Sequence, residues 1–109
     1  MFYCELLSGL WIGDTDILVN EKFINDNNIK IIINCTKIFD FPNISTVKKI
    51  RIPFSEHKES MDDIFLLRQN KEKILSILKE NIDNNNILIC CYNGKSISPF
   101  IVALFIEKY

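Results

Sequence analysis

Apolar positions along the chain follow two rhythms. Residues 29 to 35, IKIIINC, form a nearly unbroken β-branched run, the pattern of a strand covered on both faces. KKIRIPF at 48 to 54 predicts another strand, ended by Pro53, and NILICC at 86 to 91 predicts a third. ELLSGLWI at 5 to 12 reads as a short strand interrupted by Ser8-Gly9. The helical rhythm takes over elsewhere. Ile17, Phe23 and Ile24 predict one helix over about 16 to 26, after an N-cap signal in Gly13-Asp14-Thr15. Ser60-Met61-Asp62-Asp63 resembles a capping box, with Ser60 as N-cap. The helix it opens runs to about residue 81, with Ile64, Leu67, Ile74, Leu78 and Ile82 recurring at spacings near three and four apart from a gap at the middle turn. Ser98 to Lys108 is the last helix. Alternating strands and helices predict one α/β domain, residues 1 to 109, with a central, mixed, mostly parallel sheet flanked by helices.

Composition narrows this picture by exclusion. Net charge is −1, so no overall basic field recruits nucleic acid or an anionic membrane, and any anion site must be local. The longest apolar runs fall far below the ~20 residues that span a bilayer, and the N-terminus lacks a basic signal-peptide head, which predicts a cytoplasmic, intracellular protein. Four cysteines at 4, 35, 90 and 91, with His57 as the only histidine, give no metal-ligand spacing. Reduced thiols, no metal and no cofactor are therefore expected, with Cys4 and Cys35 as small buried hydrophobes. Ile, Asn and Lys supply 43 of the 109 residues, and NDNN and DNNN read as solvated loop asparagines.

The chemistry concentrates at residues 87 to 100, ILICCYNGKSISPF. A strand ending in cysteine, a short loop holding Gly94 and a helix start together aim several backbone N–H groups at one point. Such a point binds phosphate, since the groups are unpaired and the helix dipole adds partial positive charge. The same surroundings would favour a Cys91 thiolate. Pro99 supports the helix start, and Ser96 and Ser98 bring hydroxyls beside the thiol.

The run CYNGKSIS, between the strand ILIC and the helix PFIVALFI, resembles the active-site segment of the dual-specificity protein phosphatases. That family carries His-Cys, five residues, Arg, then Ser or Thr, with Gly third after the cysteine. LLSGLWIGD, IKIIINCT and IRIPFSEH are similar to family segments in the same order, so the resemblance covers essentially the whole chain. It implies a fold truncated after the phosphate-loop helix, because family domains usually continue through further helices. That truncation would leave apolar surface on FIVALFIEKY, and the remedy expected is a homodimer.

By the same resemblance Cys91 holds the nucleophile position, and Tyr92, Asn93, Gly94, Lys95 and Ser96 form the phosphate-binding loop. Ser98 matches the hydroxyl that assists breakdown of the phosphocysteine, and Glu56 falls on the general-acid position, normally Asp. Two further positions depart from the pattern. Ile97 stands where the arginine grips two phosphate oxygens, and Cys90 stands where the histidine precedes the nucleophile. Lys95 offers a point charge, read as facing solvent, and Arg51 reads as an exposed strand residue. The expected function is a pseudophosphatase-like domain that binds a phosphorylated protein or a signalling partner without efficient turnover. The alternative is a weakly active cysteine-dependent phosphatase on phosphoprotein or RNA 5′-phosphate.

Overall fold

The structure, a computed structural model, describes residues 1–55, 61–92 and 97–109. Its elements run β1 (Tyr3–Leu7), β2 (Leu10–Gly13), α1 (Thr15–Leu18), α2 (Glu21–Asp26), β3 (Ile29–Asn34), β4 (Lys48–Arg51), α3 (Met61–Asn81), β5 (Asn86–Cys90) and α4 (Ile97–Lys108). They build one five-stranded sheet in the order β1-β2-β5-β3-β4. Only the β1–β2 pair is antiparallel; β2–β5, β5–β3 and β3–β4 are parallel. The mixed, mostly parallel sheet expected from the sequence is what forms.

Side-chain alternation sorts the strands onto two cores. Leu10, Ile12, Ile31, Ile33, Ile87 and Ile89 face α3 and α4, where Ile74, Leu75, Leu78, Ile101, Val102 and Phe105 close over them. Ile32 and Leu88 face the other way, onto Ile17 and Leu18 of α1 and Ile24 of α2. The β-branched runs belong to β3 and β5 because these strands lie in the middle of the sheet and are covered on both sides. In α3, Ile74 and Leu78 are buried as expected, Leu75 joins them, and Ile64 in the first turn is exposed.

Three local readings change. The segment 5 to 12 is a β-hairpin whose turn places Gly9 at φ +82°, with the Gly9 N–H held by the Glu5 carboxylate at 3.0 Å. The expected single helix over 16 to 26 is two helices. Asp14 caps α1 as predicted, but the Asn20 side chain accepts from Phe23 N–H and starts α2 instead of continuing α1. The asparagine tracts are also more than solvated loops. Asn28 takes a left-handed φ of +52°, Asn86 donates to the Asn27 carbonyl at 2.9 Å, and the Asn81 carbonyl accepts from Asn84 and Asn85 as α3 ends.

The parallel strands end together at Gly13, Asn34, Arg51 and Cys90. The β2–β3 connection through α1 and α2 covers one face, and the β4–β5 connection through α3 covers the other. β5 lies between the two connections. In such sheets the crevice outside the carboxyl ends, where the connections part, is the natural place for a site. The residues that follow β5 begin there with Cys91.

Candidate functional site

Sheet parity separates the two adjacent cysteines. Cys90 ends β5 on the α1–α2 side, and Cys91 faces the α3–α4 side with Cys35. Backbone ladders continue past the strand end on both flanks. The Cys35 N–H donates to the Cys90 carbonyl at 2.8 Å, and the Cys91 N–H donates to the Gly13 carbonyl at 3.1 Å. Cys91 is thus fixed between β2 and β3, and it is almost wholly buried.

None of the four cysteines is in a disulfide, and Cys4 is half-buried, where the sequence suggested a buried residue. Burial pushes the Cys35 thiol strongly up, with a smaller contribution from Cys91. Burial likewise pushes Cys90 well above the ordinary thiol range, followed by repulsion from Cys35, Cys91 and Asp14. Both shifts favour the protonated thiol in the folded chain while the unfolded chain ionises near pH 8.5 to 9, so their stabilisation is complete below that range and declines above it. Unfolding free energy is therefore expected to drop between pH 8 and pH 10 by up to about 1.4 kcal/mol per thiol per pH unit. Denaturant titrations of wild type beside a Cys35→Ala/Cys90→Ala variant check this. An equally steep loss in the variant would assign the effect to other groups.

Helix α4 begins at Ile97, and its first turn contains Ser98 and Pro99. Ser98 is fully buried, and among the described residues its hydroxyl has no hydrogen-bond partner. A buried unpaired hydroxyl is costly, and at a helix N-terminus it is the kind of group that a ligand oxygen satisfies. Ile97 is half-buried and packs against the core cluster that contains Cys91. Its branched side chain has no donor to offer an anion. The sequence readings of Asn93, Gly94, Lys95 and Ser96, and of Glu56, His57 and Ser60, lie outside the described residues.

Around this centre the structure adds ties that the sequence did not disclose. The Tyr92 hydroxyl accepts from the Lys37 N–H at 3.1 Å and donates to the Phe54 carbonyl at 3.2 Å, while its ring meets Phe39 edge-on at 5.9 Å. Arg51 is the exposed strand residue expected, at the end of β4, and it also clamps the segment after β3. Its guanidinium donates to the Thr36 and Phe39 carbonyls at 2.8 and 2.7 Å and lies over the Phe41 ring at 5.3 Å. Buried Asn34 completes that clamp, donating to the Phe39 carbonyl and accepting from the Thr36 N–H and hydroxyl. Asp63 was expected to serve the helix start. Its carboxylate accepts from the N–H and the hydroxyl of Ser55, at 2.9 and 2.7 Å, across the gap from β4 to α3. Trp11 packs edge-on against Phe23 of α2 at 5.3 Å, beside the core on that face.

Among the described residues no cluster of three His, Cys, Asp or Glu could hold a metal ion, and no helix is long and apolar enough to cross a membrane. No protein-family model and no curated protein matches the chain. Solved structures do. Human DUSP28 aligns with a TM-score of 0.82 and 15% identity over 98% of this chain and 70% of its own. A mouse dual specificity phosphatase complexed with zinc tungstate aligns at 0.75 and 17%, over 98% of this chain and 65% of its own. The human tyrosine phosphatase-like serine/threonine/tyrosine-interacting protein aligns at 0.68 and 22%, over 95% of this chain and 71% of its own. These alignments over nearly the whole chain give it the dual-specificity phosphatase fold.

Proposed function

We propose that the chain is a pseudophosphatase-like domain that reads a phosphorylated protein at the N-terminus of α4 without efficient turnover. The observation that carries this reading is a pair of neighbouring residues. Ser98 keeps a buried hydroxyl with no partner among the described residues at the helix start, while Ile97 turns an apolar side chain onto the core where a charge clamp would be needed. An anion cradle without its guanidinium favours modest binding over phosphoryl transfer. By analogy with other phosphoryl-transfer enzymes, an arginine clamp contributes about 10³ to 10⁵ in rate. That one protein of this fold is described as phosphatase-like and interacting is in keeping with the reading.

Calorimetry with phosphorylated and unphosphorylated forms of the same peptides tests the proposal. Binding that depends on the phosphate supports it; heats that are identical or absent for both forms remove it. The retained Cys91 and Ser98 favour a second reading, a weak phosphatase acting through the Cys91 thiolate on phosphoprotein or RNA 5′-phosphate. Aryl-phosphate turnover that disappears in Cys91→Ser would select it.

Ser98→Ala separates ligand binding from stability. The change removes a buried hydroxyl whose missing partner costs about 1–3 kcal/mol, so the folded state is expected to hold or gain stability. Affinity for inorganic tungstate, used as a phosphate analogue, is expected to fall about three- to tenfold, the loss of one hydrogen bond. Thermal unfolding and calorimetry on the same samples check both signs, and a stability loss with unchanged affinity would contradict the assignment.

The same reading places the domain, residues 1 to 109, in the cytoplasm and makes it a homodimer. Helix α4 is apolar on its outer side as well, with Phe100 48% and Ile106 55% exposed, and a second copy would cover that face. Sedimentation equilibrium is expected to show dimer at tens of micromolar; a pure monomer there removes the dimer.

A further inference from the structure

We propose that Tyr92 is a positioning residue that couples the Cys91 strand end to the segment leading to Glu56. The inference deepens the phosphate-site reading of Cys91 and rests on it. Four contacts form a continuous chain. Tyr92 follows Cys91 directly; its hydroxyl takes the Lys37 N–H and gives its proton to the Phe54 carbonyl. Ser55 follows Phe54, and both its N–H and its hydroxyl bind the Asp63 carboxylate in the first turn of α3. Glu56 is the next residue in the sequence. One side chain thereby bridges the ends of β5, β3 and β4 and continues through Ser55 into a helix.

The chemistry of the hydroxyl gives the tie its direction. A tyrosine hydroxyl has one proton to donate, and Tyr92 spends it on Phe54 while a lone pair holds Lys37, so the O–H cannot rotate away without losing a partner. Its contacts lie 55 and 38 residues away in sequence. They are long-range links and cannot be satisfied by local turn formation. The ring is held as well, half-buried and edge-on to Phe39. Phe39 is itself fixed through its carbonyl by Asn34 and Arg51. Shifting the Cys91 end of β5 therefore moves Phe54 and Ser55 with it. Where the family pattern uses a histidine before the nucleophile to order this region, Cys90 is buried on the opposite face of the sheet, and Tyr92 supplies ordering from the other side of Cys91.

Tyr92→Phe keeps the ring and removes only the hydroxyl. Amide exchange at Lys37 and at Ser55 is expected to quicken about five- to tenfold, the value of one hydrogen bond. Alkylation of Cys91 by iodoacetamide, followed with the other three cysteines changed to alanine, is expected to change at least about threefold, because thiol reactivity follows its surroundings. Asp63→Ala disturbs the chain from its far end, and exchange at Lys37 must then rise too. The proposal stands if Ser55 exchange and Cys91 reactivity both respond to Tyr92→Phe. It is overturned if only Lys37 responds, or if neither variant carries its effect to the opposite end. Tungstate calorimetry on the same wild-type sample keeps the two claims apart: no tungstate binding removes the phosphate-site reading, while the exchange and alkylation results decide the coupling.

Discussion

Ile97→Arg is expected to tighten inorganic tungstate binding about 10- to 100-fold, since one charge-assisted, bidentate contact contributes about 1.5–3 kcal/mol. The side chain starts in the first turn of α4, one residue before the buried Ser98 hydroxyl. Its backbone is already in place, so the guanidinium needs only to leave the core surface that Ile97 covers. The exchange gives up a half-buried aliphatic contact, a loss on the order of 1 kcal/mol. Binding gains more than folding loses.

Turnover is the sharper readout. With arginine present, aryl-phosphate hydrolysis is expected to rise by about 10³, the lower end of what such clamps contribute. The lower end is appropriate since Cys90, buried on the opposite face, stands where the family pattern has a histidine. The gain must vanish in the Cys91→Ser/Ile97→Arg double variant. Tighter tungstate binding without turnover would preserve the binding function and put the remaining defect at Cys90 or Glu56. Unchanged affinity and unchanged turnover together would reject α4 as the anion site.

How much of this was legible beforehand depends on how local the signal is. Central strands β3 and β5 were readable because burial on both faces demands an uninterrupted apolar run. The N-cap at Asp14 was readable because a side chain satisfies N–H groups two and three residues ahead. The break between α1 and α2 was not, since Asn20 can end a helix, start one or face solvent, and tertiary packing decides among them. At the candidate site, Cys91 stood out at a strand end, and the positions of Ile97 and Ser98 were matched through the family resemblance. The long-range ties of Tyr92, Arg51 and Asp63 could not be read, since their partners come from other elements. Arg51 is exposed as read, but its bonds to the Thr36 and Phe39 carbonyls could not be foreseen. Short-range grammar points to candidate residues, and long-range hydrogen bonds decide how Tyr92 and Ser55 are held.

Phe54→Ala is expected to be the most damaging single change to stability, at about 3–5 kcal/mol. Phe54 is fully buried in the core beneath α3 and α4, among the largest side chains so enclosed. Its removal leaves a cavity that neighbours such as Ile52 and Ile74 can fill only in part. For a chain of about 100 residues the loss lowers the melting temperature by roughly 15–25 °C, against a total stability of about 5–15 kcal/mol. Phe65→Ala is the matched control: the same truncation at a residue 62% exposed is expected to cost under about 0.5 kcal/mol. Denaturant midpoints at constant slope measure both, and a Phe54→Ala loss below about 1 kcal/mol would contradict the burial. The location makes a second demand. Phe54 contributes the carbonyl that Tyr92 binds, and its neighbour Ser55 binds Asp63, whereas Ile74 lines the same core from α3 and takes no part in those hydrogen bonds. Ile74→Ala is therefore expected to cost about 2–5 kcal/mol with tungstate affinity intact below the melting range, while Phe54→Ala weakens that affinity at the same fraction folded. Equal affinities in the two variants would mean that the tie through Phe54 does not reach the anion site.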